Sequence, residues 1–325
     1  MRVLTVTFNP AIDQTVTLDR LVPGEVHRAH AVRQNAGGKG VNVASCLADW
    51  GLAVAAYGLL GSDNAASFDA LLGAKRIEDR FIRIPGATRV NLKLVDAAGT
   101  TDINLDGIAI DLGRAEMVAA TIGEAAQADD IVVLAGSLPP GCPPDTYAAL
   151  TRRLSAKGCR VVLDTSGLPL KCALEGPVLP RVIKPNRHEL AQFLGRDLPD
   201  GAALVAAARA LQARGLGLVV VSMGEDGALF VSREGALCAR LAIGRLASTV
   251  GAGDAMVAGI VAALAQGASL ERTARLATAF AVAKLGMAGP NLPDLASVEA
   301  LAAEVVIAPV NAGDARGEVL SAGEQ

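Results

Sequence analysis

Aromatic residues are scarce. Phe, Trp and Tyr make up 3% of the 325 residues, with one tryptophan and two tyrosines. A chain so poor in π-faces has little on which to stack bases. An excess of positive charge is missing too. Lys and Arg number 30 against 33 Asp and Glu, a formal net charge of -3, so no basic field for nucleic acid is expected. The three histidines, His27, His30 and His188, show no metal-ligand spacing. The five cysteines, Cys46, Cys142, Cys159, Cys172 and Cys238, contain no CxxC pair. An odd count at wide gaps fits reduced thiols and speaks against a disulfide framework or a zinc site. Long apolar runs are absent as well. The uncharged stretch Ala255–Leu270 has 16 residues and includes glycine, which suits a buried helix and is short for a membrane span. The apolar run in MRVLTVTFNP is too short for a signal peptide. A cytoplasmic protein with no membrane partner is expected.

What is present is core material: 51% hydrophobic and 19% charged residues, a globular composition. Apolar runs at Val3–Phe8, Val54–Leu60, Ile131–Gly136, Cys159–Ser166, Arg181–Asn186 and Leu216–Gly224 read as buried strands. Helical patterns fall at Val41–Trp50, Arg114–Ala126, Asp145–Ala156, Arg187–Leu194 and Ala202–Ala213, then Asp254–Ala265, Leu270–Leu285 and Leu295–Val305. The alternation predicts an α/β fold: a doubly wound, mostly parallel sheet with helices on both faces. Thr15–Arg33 and Arg89–Leu105 instead alternate apolar and polar residues with period two. They read as half-exposed antiparallel strands forming a small β-strand lid, over about 13–35 and 87–107, or a dimer surface. One domain over 1–308 is expected, with 309–325 a flexible tail.

The stretch STVGAGDAMVAGI puts a carboxylate, Asp254, in a glycine turn at the mouth of an apolar helix. Such a mouth is an anion site. Met256 stands where a dinucleotide fingerprint needs its third glycine, and a Walker A lysine is absent. A carboxylate within a resting pyrophosphate site would repel its ligand. Beside an attacking hydroxyl it would be a general base, with the amides of Gly251, Ala252 and Gly253 as an anion hole. A plain helix cap is the alternative. NAGGKGVNVA (Asn35–Ala44) reads as a loop with a surface lysine, or as a sugar site using Gly37, Gly38, Lys39 and Asn42. IKPNRHEL (Ile183–Leu190) has capping-box spacing between Asn186 and Glu189. It could equally approach Mg²⁺ and phosphates. VVVSMGEDGALF is a hairpin that could hold a nucleotide through Ser222, Gly224 and Gly227. AGSLPPG offers Ser137 as a polar contact.

In this order, NPAID, AGGKGVNVA, GSLPPG, VIKPNRHEL, VSMGEDG and STVGAGD resemble the ribokinase/PfkB family of carbohydrate kinases. The resemblance runs from about residue 2 to 305 and is greatest to the bacterial phosphofructokinase branch. PGEVHR, the lysine of GGKG and TRVNLKL carry it towards enzymes acting on fructose 1-phosphate. Some 6-phosphofructokinases of the family have lysine where this chain has Glu25 and glycine where it has Lys39. The resemblance implies a ribokinase-like fold, ATP and Mg²⁺ as cofactors, and a homodimer through the lid. It implies Asp254 as base and Asp13, at the end of the first strand, on sugar hydroxyls beside Gly38, Lys39 and Asn42. Arg89 and Lys93 would face the phosphate already on the sugar. Lys184 and Asn186 would approach the ATP phosphates, with Glu189 holding Mg²⁺ through water. Ser222, Gly224 and Gly227 would hold the nucleotide. Fructose 1-phosphate is the implied substrate, ahead of tagatose 6-phosphate and fructose 6-phosphate.

Overall fold

The computed structural model describes residues 1–242 and 251–310. Its strands are β1 (Val3–Thr7), β2 (Ala11–Thr17), β3 (Ala31–Gly37), β4 (Val54–Gly61), β5 (Glu78–Ile84), β6 (Val90–Asp96), β7 (Gly99–Ile103), β8 (Ile131–Ala135), β9 (Arg160–Asp164), β10 (Val182–Ile183), β11 (Leu218–Ser222), β12 (Ala228–Ser232), β13 (Gly235–Arg240) and β14 (Val306–Pro309). Its helices are α1 (Lys39–Asp49), α2 (Ala66–Ala74), α3 (Leu112–Ala125), α4 (Thr146–Ala156), α5 (Gly167–Glu175), α6 (Arg187–Leu194), α7 (Gly201–Ala213), α8 (Ala252–Ala265), α9 (Leu270–Leu285) and α10 (Leu295–Glu304).

Ten strands form one sheet in the order β14-β13-β12-β11-β10-β9-β8-β1-β4-β5. From β11 to β5 every pairing is parallel, and the β12, β13 and β14 edge is antiparallel. Both faces are buried, which is why the strands read as continuous apolar runs. Val3, Val133, Val162 and Val220 pack with α1, α8 and α9 on one face. Leu4, Val6, Val132 and Val219 pack with α3, α4 and α7 on the other. Helices α8 and α9 touch through their backbones. A Cβ on Gly259 would lie 2.6 Å from the Cα of Ala277.

The ribokinase-like α/β expectation holds, with local corrections. β10 has two residues, not six, because Pro185 has no N–H to continue the ladder. α5 carries Pro169 in its first turn, where no intrahelical donor is needed. Its glycine and proline hide it from periodicity, and α2 is likewise unmarked by a clear apolar stripe. Residues 306–309 pair with β13, and the Val310 N–H donates to the Ala236 carbonyl. The expected tail therefore does not begin at 309. Its remainder, 311–325, lies outside the described residues, as do Ser248–Val250 of the glycine-turn motif.

The small sheet has the order β3-β2-β6-β7. It is mixed rather than antiparallel, since β2 runs parallel to β6. Residues 18–30 form no strand, so the alternation at VHRAHAV reports a connecting segment. Asp13 lies within β2, not at the end of the first strand.

Candidate active site

The site forms beyond the carboxyl ends of β1, β8, β9, β10 and β11, where open α/β sheets bind ligands. Gly251 starts α8 with φ 82°, a left-handed conformation that suits glycine. Among the described residues no side chain caps this helix. Its first N–H groups are therefore left for an anion. Asp254 is buried. Its Oδ2 accepts a 2.8 Å hydrogen bond from Nδ2 of Asn42, which projects from α1. Among the described residues Asp254 accepts from a side chain and not from a backbone N–H. Burial pushes its pKa up to about 6, against the pull of Lys39, while Asp164 adds to the rise.

Asp164, at the end of β9, is fully buried and touches two lysines. Lys39 Nζ lies 3.2 Å from one oxygen and Lys184 Nζ 3.4 Å from the other. Burial alone would raise the Asp164 carboxyl, but Lys184 and then Lys39 outweigh it and hold the pKa low. Burial likewise works against charge on Lys39. Asp164, then Asp254 and Glu189, more than compensate, so its pKa is raised. Through Asp164 the two ion pairs join the first residue of α1 to the residue that follows the short strand β10. Lys184 also reaches α8: its Nζ is 3.5 Å from where a Cβ on Gly253 would sit.

Two cavities flank the α8 mouth. One, of about 410 Å³, is lined by Asp13, Thr15, Asn35, Asn42, Lys93, Gly251 and Lys284. The other, of about 640 Å³, is lined by Ser222, Gly224, Gly227, Ala252 and Gly253 with apolar Leu241, Met256 and Val282. The first is polar and spans the two sheets. The second has an apolar wall fit for a flat ring.

Most sequence-predicted residues gather here. Asp13 accepts from Asn91 Nδ2 at 3.3 Å and faces Lys93 at 3.8 Å. Gly37 packs against it, since a Cβ there would lie 2.6 Å from an Asp13 oxygen. Gly38 has φ 102° and caps α1. Ser137 accepts from Asn9 Nδ2 at 3.2 Å. Asn186 and Glu189 do form a reciprocal capping box, each accepting from the other's N–H at 2.8 Å. That bond occupies Oε2 of Glu189 and leaves Oε1.

Two expected residues stand outside the polar cavity. Arg89 does not line the polar cavity. Its guanidinium donates to the carbonyls of Leu105 (2.6 Å), Asn9 (3.1 Å) and Pro10 (3.3 Å). It borders a different cavity with Thr88 and Ile108. Lys39 is held by Asp164 near Asp254 and does not line the polar cavity. Sequence reasoning missed Asp164 and Lys284. Each had a signal: a charged residue closing the buried run VVLD, and a lone lysine in the apolar helix FAVAKL.

Comparison with known proteins gives a consistent set of matches. Residues 6–296 match the model of the pfkB family carbohydrate kinases. A 1-phosphofructokinase of Xanthomonas campestris pv. campestris is 53% identical over 315 residues, spanning 95% of this chain and 99% of that protein. A 1-phosphofructokinase of Rhodobacter capsulatus is 47% identical over 310 residues, spanning 94% and 98%. Among solved structures, the tetrameric inhibited form of phosphofructokinase-2 from Escherichia coli superposes with TM-score 0.85 at 28% identity, covering 93% of this chain and 98% of that one.

Proposed function

The chain belongs to the pfkB family of carbohydrate kinases, and on that premise we propose that it transfers a phosphoryl group from ATP to D-fructose 1-phosphate. The products are D-fructose 1,6-bisphosphate and ADP. One observation carries the mechanism: a buried carboxylate at a glycine-started helix mouth, between a polar and a part-apolar cavity. The sugar occupies the polar cavity, with its hydroxyls on Asp13 and Asn42. ATP occupies the other, along the hairpin of Ser222, Gly224 and Gly227. Asp254 accepts the proton of the C6 hydroxyl as that oxygen attacks. The Gly251, Ala252 and Gly253 amides meet the charge on the moving phosphoryl group, and Lys184 adds a cation beside Gly253. Asn42 orients the base.

Mg²⁺ fits this donor set as a companion of the nucleotide. Among the described residues no three His, Cys, Asp or Glu side chains gather as metal ligands. Mg²⁺ usually keeps several waters and binds through phosphates and one or two carboxylates. Glu189, through its remaining oxygen and a water, is the residue that would hold it. Bound there it neutralises phosphate charge.

The substrate is tested by comparing kcat/KM for fructose 1-phosphate, fructose 6-phosphate and tagatose 6-phosphate in an ADP-release assay. The 6-phosphates must reverse in the cavity to bring their C1 hydroxyl to Asp254, losing a charge-assisted contact worth about 1.5–3 kcal/mol. Fructose 1-phosphate is expected to win by at least about tenfold. A win for tagatose 6-phosphate would overturn the named substrate and leave a kinase.

The small sheet is the lid over the sugar. Its exposed residues are apolar in part: Val32 is 55% and Ile103 44% exposed, and Val26, in the segment joining β2 to β3, is 99% exposed. Leu18, just after β2, is buried within the chain. A patch of this kind favours covering by a second copy, and we assign the protein as a homodimer through the lid. Sedimentation at micromolar concentration is expected to give a dimer. A fully active monomer would overturn it. Among the described residues no helix is long and apolar enough to cross a membrane, and the cytoplasm, where ATP and sugar phosphates are at hand, is its proposed place.

A further inference from the structure

Lys284 stands in the last turn of α9, yet it is only 4% exposed. A lysine can serve a helix C-terminus from the surface, so that duty does not explain its burial. Its Nζ donates to the Met287 carbonyl at 3.0 Å. Its Cε packs under the turn that starts α8, 3.4 Å from where a Cβ on Gly251 would sit. The end of one helix thereby places a positive charge under the beginning of another. A cation there is unfavourable while the mouth is empty, because the first N–H groups of α8 already carry partial positive charge. An anion at the mouth reverses the sign.

The groups that face this ammonium decide what it acts on. Burial lowers its pKa, Cys46 and Asp254 oppose the fall, and Lys93 adds to it. The Cys46 thiol, pushed up to about 12 by its own burial, is neutral at pH 7. Of these described neighbours, Asp254 is therefore the one whose negative charge answers that of Lys284. The influence is mutual, since a nearby cation favours the ionised carboxyl. Lys39, Asn42 and Lys184 act on Asp254 in the same sense, and burial and Asp164 act against it.

We propose that Lys284 is a resident monovalent cation for phosphoryl transfer, fixed beneath the Gly251 turn. The inference rests on the kinase reading above. Lys284 is a positioning residue, acting through the turn and the base. Its charge adds to the field of the amides that meet the moving phosphoryl group. It also favours ionised Asp254, offsetting part of what burial does to that carboxyl. A lysine head is a compact point charge, and a stem held by packing keeps it in place at any salt concentration. The protein therefore needs no dissolved potassium or ammonium ion at this turn.

The test returns the head group from solution. Lys284→Ala removes charge and stem, and kcat is expected to fall roughly ten- to a hundredfold, the loss of one charge-assisted contact. KM for fructose 1-phosphate and KM for ATP are expected to change much less. Ammonium or potassium chloride restores much of kcat, whereas tetramethylammonium chloride at equal ionic strength does not. The unsubstituted chain turns over equally in all three salts. Its rise of activity with pH, centred near about 6, moves upward in Lys284→Met, because the carboxyl has lost a cation that favours its ionised form. A requirement for potassium or ammonium in the unsubstituted chain would overturn the inference. So would a kcat deficit in Lys284→Ala that all three salts leave alike. Rises in both KM values with kcat kept would make the role structural and overturn it too. Should Lys284→Ala not fold, Lys284→Met keeps the apolar stem, and an unmoved pH inflection there overturns the inference. If the unsubstituted chain releases no ADP with any sugar phosphate, the kinase reading falls and this inference falls with it.

Discussion

Asp254→Asn is expected to lower kcat by roughly 10²–10⁴, the usual range for removing a general base. The amide keeps the shape and can still accept from Asn42, so sugar binding should persist. The pH profile of the unsubstituted protein belongs to the same prediction. The base works only when ionised, and its pKa is pushed up to about 6. Turnover should therefore climb as pH rises through about 6, and that inflection should vanish in the variant. Stability runs the other way. A carboxyl whose folded pKa is raised contributes stability in acid, and that contribution is lost as pH rises through the folded value. Asp254→Asn should thus raise the melting temperature at pH 8 while removing activity, a trade common at active sites. Near-normal kcat in this variant would end the general-base mechanism. A variant no more stable at pH 8 would show that the carboxylate is better solvated than its burial implies.

Asp164→Ala is expected to be the most damaging single change to stability outside the core. It strands Lys184, 5% exposed, without its counter-charge. Breaking a buried pair from one side costs about 3–5 kcal/mol, because the remaining ion is neither solvated nor paired. The denaturant midpoint should fall accordingly. Removing both partners, as Asp164→Ala with Lys184→Met, should recover part of the loss. No recovery would mean that the aspartate matters for something other than this pair. The sign with pH is opposite to that of Asp254. The folded pKa of Asp164 is held low, so its contribution is present at neutral pH and is lost as pH falls below about 4.

The glycine turn before α8 was legible in the sequence because its chemistry is local. A helix mouth, three small residues and a carboxylate are contiguous, and the aspartate argued against a resting pyrophosphate there. The parallel sheet was legible because burial on both faces writes unbroken apolar runs. Asp164 was not legible as a bridge. Its lysine partners come from the start of α1 and from just after β10, far apart in the chain, and no period in the sequence records that meeting. Arg89 shows the opposite failure. A basic residue beside a lid strand suggests a phosphate, yet its five donors also suit carbonyl oxygens at the crowded edge between the two sheets. The parallel pairing of β2 with β6 was hidden for a similar reason. Alternation tells which side of a strand is wet, but not which way its neighbour runs.

The contact of α8 with α9 at Gly259 acts as a ruler. Asp254 stands on one helix and Lys284, which lines the polar cavity, on the other, and the distance between them is set where the two backbones touch. A methyl group at position 259 would need room that Ala277 occupies. The helices would have to part, and the two ends of the substrate would be measured against a longer gauge. A change with no ligand in reach would then register as a change in which sugar is accepted. Randomising positions 259 and 277 together is therefore a route to altered substrate length that leaves every polar group of the pocket in place.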